Sequence, residues 1–253
     1  MRTAFVLLTI VPHNVWINFL NKLQLHIIEK NEIIDIYIMV DDNRFRDTNK
    51  HIHENIKVLQ YERIEVVSKG YNNSSTVTIN NDCISWDKAI YHFCEKVDTY
   101  DFVWFVEDDV LIPTIDSIVQ MTNKYNSYDL IVPEIITNVT GELESWHWKQ
   151  VRPDLQLPWY KTMVCALGVS NLLLQHIKRY VNFRKTIPFI EYIFVTMAKQ
   201  NNMNIIVAPE LEQIVYTPHI SFDDPKFVSL VEKKYWIHPQ KNMDIHKIVH
   251  NIN

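Results

Sequence analysis

Asp101-Phe-Val-Trp-Phe-Val-Glu-Asp-Asp-Val110 is the stretch that decides the fold of this 253-residue chain. Five apolar residues, Phe102 to Val106, run without interruption into three consecutive carboxylates, Glu107, Asp108 and Asp109. A short β-branched and aromatic run of this kind reads as a strand buried on both faces. Its last residues then emerge at the carboxyl edge of a parallel sheet, where open α/β folds place their ligands. At ~5 Å and an effective dielectric of ~20, each like-charge pair there costs about 3 kcal/mol. A divalent cation removes that cost, and oxygen ligands select magnesium, manganese or calcium. The alternative is a solvated acidic turn.

Working outward, Thr3–Val11 is a continuous apolar strand stopped by Pro12, followed by helical spacing of Trp16, Phe19, Leu20, Leu23 and Ile27. Asp35–Val40 is a second strand ending in Asp41 and Asp42, which completes a right-handed crossover unit. Carboxylates in that place commonly accept ribose hydroxyls or base NH groups. Glu62–Val67 reads as a third, more exposed strand, and the polar segment Lys69–Asn81 as a loop. The helix expected over Cys83–Val97 carries Trp86-Asp87-Lys88 in its first turn, near the ligand edge. An ion pair beside a core tryptophan would look the same.

Further helices are expected at 114–125, Asn171–Tyr180 (capped by Ser170) and Pro188–Gln200, with strands at Asp129–Val132, Lys161–Val169 and Ile205–Ala208. The fold class is α/β: one domain with a mostly parallel central sheet flanked by helices. Pro133 to Trp159 is irregular, and loops that long are usually functional.

The chain has only three glycines, so no glycine-rich phosphate cradle can be written. A bound diphosphate would need a metal and cationic side chains. A net charge of -5 gives no footprint for nucleic acid. Cys83, Cys94 and Cys165 have no metal-type spacing and read as free thiols in a reducing compartment. With no spanning segment or cleavable leader legible, a cytoplasmic location is expected.

The hydrophobic strand ending in Glu107-Asp108-Asp109 resembles the DxD-type signature of GT-A glycosyltransferases. The element order, the Asp41-Asp42 strand end, the Trp86-Asp87-Lys88 helix start and the late His238-Pro239-Gln240-Lys241 are similar to that superfamily as well. The resemblance implies a Rossmann-type sandwich, with residues 1–113 binding a nucleoside diphosphate sugar such as a UDP-sugar. Residues 114–253 would then bind a glycan or other hydroxyl acceptor, with the tail closing the site. It implies Mn2+ or Mg2+ held by Asp109, Glu107 and His238, with His219 as a competing ligand. Glu107 would also reach the ribose or a metal-bound water. Asp41, Asp42, Asp87, Lys88 and Lys241 would serve the donor. In an inverting enzyme Glu191 would be the general base, the alternative being compensation of the helix dipole at an N-terminus. Trp146, Trp148 and Trp159 would form an acceptor platform or else a satellite core cluster. Asp108, on the opposite face if the backbone is extended, would cap or brace the site, whereas a turn would bring all three acids inward. His246 and His250 read as a surface pair. Two further readings stay open: a sugar nucleotidyltransferase, which usually needs a glycine-rich loop this chain lacks, and a non-catalytic nucleotide- or glycan-binding module.

Overall fold

The computed structural model describes residues 1–42, 44, 51–75, 81–143, 148–150, 155–216 and 224–252. In chain order the elements begin β1 (Thr3–Thr9), α1 (Asn14–Lys30), β2 (Ile34–Val40), β3 (Lys57–Leu59), α2 (Arg63–Ser68) and α3 (Ser85–Tyr91). The last of these runs into a π-helical turn at His92–Lys96. They continue with β4 (Phe102–Glu107), α4 (Ile115–Lys124), β5 (Leu130–Val132), β6 (Ile136–Asn138), β7 (Trp159–Lys161) and β8 (Ala166–Ser170). The chain closes through α5 (Asn171–Arg184), α6 (Ile190–Gln200), β9 (Ile205–Val207), β10 (Gln213–Ile214), α7 (Pro225–Glu232), β11 (Ile237–His238) and α8 (Met243–His250). Among the described residues no helix is long and apolar enough to cross a membrane.

One seven-stranded sheet in the order β3-β2-β1-β4-β8-β5-β9 organises the molecule. All its strands are parallel except β8, which runs antiparallel to both β4 and β5. The continuous apolar runs are explained by burial on both faces. Ala4, Val6, Leu8, Val103 and Phe105 pack into one core with α3, α5 and α6. Phe5, Leu7, Trp104 and Val106 pack into the other with α1 and α4. Register then places the chemistry: Leu8 pairs with Glu107 and Thr9 with Val40, so the acidic triplet and Asp41-Asp42 leave the same edge.

Helix ends follow local chemistry. Ser170 caps α5 by accepting from the Leu173 amide at 3.2 Å, and Thr114 does the same for Ser117 in α4 at 3.2 Å. Asn31 ends α1 in the left-handed conformation, φ 53°.

Three sequence expectations change. The segment 62–67 is not a strand: it lies largely in α2, with Val66 buried and Ile64 81% exposed, and β2 is paired instead by Lys57–Leu59. A β-branched run reads equally as strand or helix over six residues, and the edge position was already taken. Lys161–Val169 is split, β7 pairing with β6 in a separate hairpin and β8 entering the main sheet. His246 and His250 are buried, at 0% and 9% exposure, because α8 packs on α1.

Gly168 sits in β8 opposite Trp104, where an added Cβ would lie 2.6 Å from Phe102 Cε1 and 2.7 Å from Cζ. Gly168→Ala should therefore destabilise the fold by about 1–3 kcal/mol, the usual cost of overpacking. A shift of the urea midpoint at unchanged m-value measures it; an unshifted midpoint would show that the ring moves aside freely.

Candidate active site

At the end of β4 the three carboxylates diverge. Asp108 turns away from the other two: Thr9 Oγ1 donates to its Oδ2 at 2.5 Å, and Trp16 Nε1 donates to its carbonyl at 2.6 Å. It ties β1, α1 and β4 together. Glu107 accepts from Trp86 Nε1 at 2.6 Å, and burial pushes its carboxyl above the ordinary range. Asp109 faces His238, with Oδ1 and Nε2 3.4 Å apart. Burial works to raise Asp109, but the facing imidazole and the Lys241 ammonium outweigh it, and the group lies below its usual pKa.

The C-terminal segment is strapped across this edge. Leu111 and Ile237 exchange backbone hydrogen bonds at 2.8 and 3.0 Å, and the Gln240 amide donates to the Asp109 carbonyl at 2.7 Å. Trp236, fully buried, stacks at 5.6 Å on Trp104 of β4. His246 Nε2 donates to the Gln240 carbonyl at 2.8 Å, and His250 Nε2 to that of Ile112 at 2.7 Å. His238 Nδ1 lies 2.9 Å from the Val215 carbonyl, which can only accept, so Nδ1 carries a proton and Nε2 is left for the site. Burial lowers the His238 pKa, yet Asp109 and that carbonyl hold it above its ordinary value.

These donors fit a divalent cation. Asp109 Oδ1 is buried and meets the His238 imidazole at 3.4 Å, too long for a good hydrogen bond, so a cation between the two would satisfy both. Glu107, Cys165 and His238 each bring one ligand atom into a group no wider than 4.8 Å. Cys165, buried just before β8, had no sequence signal, since only the antiparallel pairing carries it to Glu107.

At the β2 end, Lys88 is buried and reaches Asp41, its Nζ 3.1 Å from Oδ1 and 2.6 Å from the carbonyl oxygen. Asp42 is held below its usual pKa by Arg44, which donates to both its oxygens. Asp87 departs from the sequence expectation. It has no exposed surface, and its oxygens accept from the Ser74 and Ile84 amides at 3.1 and 2.9 Å. Its contact is with backbone, pinning residues 72–75 to α3; burial pushes its pKa up to about 6.

Glu191 lies in the first turn of α6, 7% exposed. Burial drives its pKa up to about 7; Lys161 opposes this, while Glu134 and Glu107 add to it. Trp148 lies 5.5 Å from the ring of Tyr192, the next residue, and Lys161 sits 6.0 Å over the same indole. Trp159 donates to the Leu155 carbonyl at 2.7 Å. Both tryptophans are partly buried against the small cluster of Leu155, Phe189 and Tyr192. Trp148 also lines a cavity of about 290 Å³ with Asn138, Thr140 and Glu142. Trp146 and His219 lie outside the described residues.

No protein-family model matches the sequence, and no curated protein matches it. The structure is similar to that of the galactosyltransferase LgtC in complex with donor and acceptor sugar analogs. The TM-score is 0.51 at 9% identity, covering 98% of this chain and 94% of that one. An active-site mutant of LgtC gives 0.51 at 10% identity over the same shares. The fold is that of the GT-A glycosyltransferases.

The strap carries a pH dependence. Burial pushes His250 down to about 4, so folding excludes a proton that the unfolded chain takes up below pH 6.5. Its stabilisation is complete above pH 6.5 and is lost progressively as pH falls toward 4. At 1.36 kcal/mol per unit the loss between pH 6.5 and 5 is about 2 kcal/mol. His250→Gln, which keeps a donor for the Ile112 carbonyl, should remove most of that slope in urea unfolding at the two pH values.

Proposed function

We propose that the protein is a glycosyltransferase that moves a sugar from a nucleoside diphosphate, a UDP-sugar in the first instance, to a hydroxyl acceptor such as a glycan, with Mn2+ or Mg2+ bound. One observation carries this reading: a buried Asp109 oxygen faces His238 Nε2 at 3.4 Å, beside Glu107, at the carboxyl edge of a GT-A sheet. In this reading residues 1–113 hold the donor and 114–253 the acceptor. Asp109, Glu107 and His238 hold the cation. When bound, it supplies Lewis acidity to the departing diphosphate.

The chain's own groups do the rest. Lys241, whose charge already acts on Asp109, meets the diphosphate in a protein without a phosphate loop. Asp42 takes the nucleoside, and the Asp41–Lys88 pair sets the loop that carries it. Asp87 supports the donor site indirectly through residues 72–75. Trp148 and Trp159 line the acceptor side next to α6. The acceptor oxygen bonds to the anomeric carbon as the bond to the diphosphate oxygen breaks, and the hydroxyl proton passes to the Glu191 carboxylate. A carboxyl with a pKa near 7 is well matched to that proton transfer at neutral pH.

Two measurements test this. A nucleoside diphosphate should raise the melting temperature only with Mn2+ or Mg2+ present, and Asp109→Ala should abolish that dependence; equal stabilisation in excess chelator would sink the reading. Transfer from UDP-sugars should fall about tenfold per pH unit below pH 7 and level off above it, because Glu191 must be ionised to accept the proton. Glu191→Gln should lower kcat by ~10²-fold or more at unchanged donor affinity. Near-normal transfer by that variant would remove Glu191 as the base.

A further inference from the structure

We propose that Cys165 is a ligand of the cation site, which makes it a mixed oxygen, nitrogen and sulfur centre that binds zinc in preference to manganese or magnesium. The proposal rests on the reading of Glu107 and His238 as cation ligands given above, and adds a donor of a different kind.

Pairing geometry puts the thiol there. In the antiparallel ladder Phe102 opposes Ser170 and Val106 opposes Ala166, so the next step opposes Glu107 and Cys165. The Glu107 amide donates to the Cys165 carbonyl at 2.8 Å, which holds the two residues in register at the end of the ladder. Directly opposed residues bring their side chains together. The Glu107, Cys165 and His238 donor atoms lie within 4.8 Å of one another. Zinc bonds of about 2.0–2.1 Å to nitrogen and oxygen and ~2.3 Å to sulfur need donors somewhat closer than that, a contraction within reach of side-chain rotation. Asp109 Oδ1, buried and 3.4 Å from His238 Nε2, stands beside the imidazole as a fourth donor.

Ligand chemistry sets the preference. Magnesium and manganese favour oxygen donors, whereas thiolate and imidazole favour zinc and cobalt. As the sulfur–metal bond forms, the thiol proton passes to the medium, and the thiolate charge joins the carboxylates in balancing the cation. With Asp109 in the fourth place, two carboxylates, an imidazole and a thiolate would supply the four donors that zinc takes.

Cobalt(II) is the probe. Wild-type protein should develop a near-ultraviolet thiolate-to-cobalt band that ends at one equivalent and is bleached by Zn2+. Cys165→Ser, with Cys83 and Cys94 intact, should lose the band. It should bind Zn2+ at least about tenfold more weakly while its Mn2+ affinity changes less than about threefold. X-ray absorption of the wild-type zinc form, independent of any variant, should show one sulfur neighbour at ~2.3 Å. No band in the wild type, a band retained in Cys165→Ser, or no sulfur neighbour would overturn the proposal and return Cys165 to core packing. If Mn2+ still binds and depends on Asp109 in that event, the oxygen site stands without Cys165. A band in a protein that binds no Mn2+ supports Cys165 and refutes the manganese reading instead.

Discussion

The molecule is arranged around an electrostatic problem at the end of β4. Glu107 and Asp109 leave the sheet together, partly buried, with Asp41 and Asp42 on the adjoining edge. Burial raises the cost of every unneutralised charge there, and water is too restricted to screen it well. Much of the surrounding structure supplies positive charge or hydrogen-bond donors to these acids. Trp86 donates to Glu107, Lys88 meets Asp41, Thr9 donates to Asp108, and His238 and Lys241 act on Asp109. After all of these, Asp109 Oδ1 has the His238 imidazole at 3.4 Å but no close hydrogen bond.

The C-terminal segment is the largest of these responses. It crosses more than a hundred residues of sequence to reach residues 109–112, and it is held by backbone hydrogen bonds, by Trp236 on Trp104 and by two buried neutral histidines. The same histidines that position the strap make it sensitive to acid, since each Nδ1 is buried without a partner and protonation would place charge in an apolar setting. Site geometry and acid stability are thus two readings of one set of contacts.

Burial also separates the roles of the acids. Asp42, partly exposed and paired with Arg44, is held below its usual pKa. Glu191, buried in the first turn of α6 among other acids, stays near neutrality, where it can exchange a proton. Asp87 spends its charge on backbone amides and holds a loop. Carboxylates in three surroundings thus carry three different pKa shifts.

The sequence by itself determined the layered α/β architecture, because uninterrupted apolar runs at 4–8, 36–40 and 102–106 have few places to go other than a doubly covered sheet. It also determined the helix starts at Ser170 and Thr114, where a local hydroxyl meets a local amide. The divergence of Asp108 from its neighbours comes instead from a turn after Glu107, closed by the Val110 amide donating to the Glu107 carbonyl. What it left open was whatever depends on partners distant in the chain. A β-branched run at 62–67 went to helix because the sheet edge was filled by 57–59. Asp87 turned from ligand contact to bracing because residues 73–74 come back to it, and Cys165 gained its place beside Glu107 from the reversed direction of β8. Local hydrogen bonds and periodicity are written in neighbouring residues, whereas burial, pKa and donor convergence are set by strand order and loop closure, which only the tertiary structure decides.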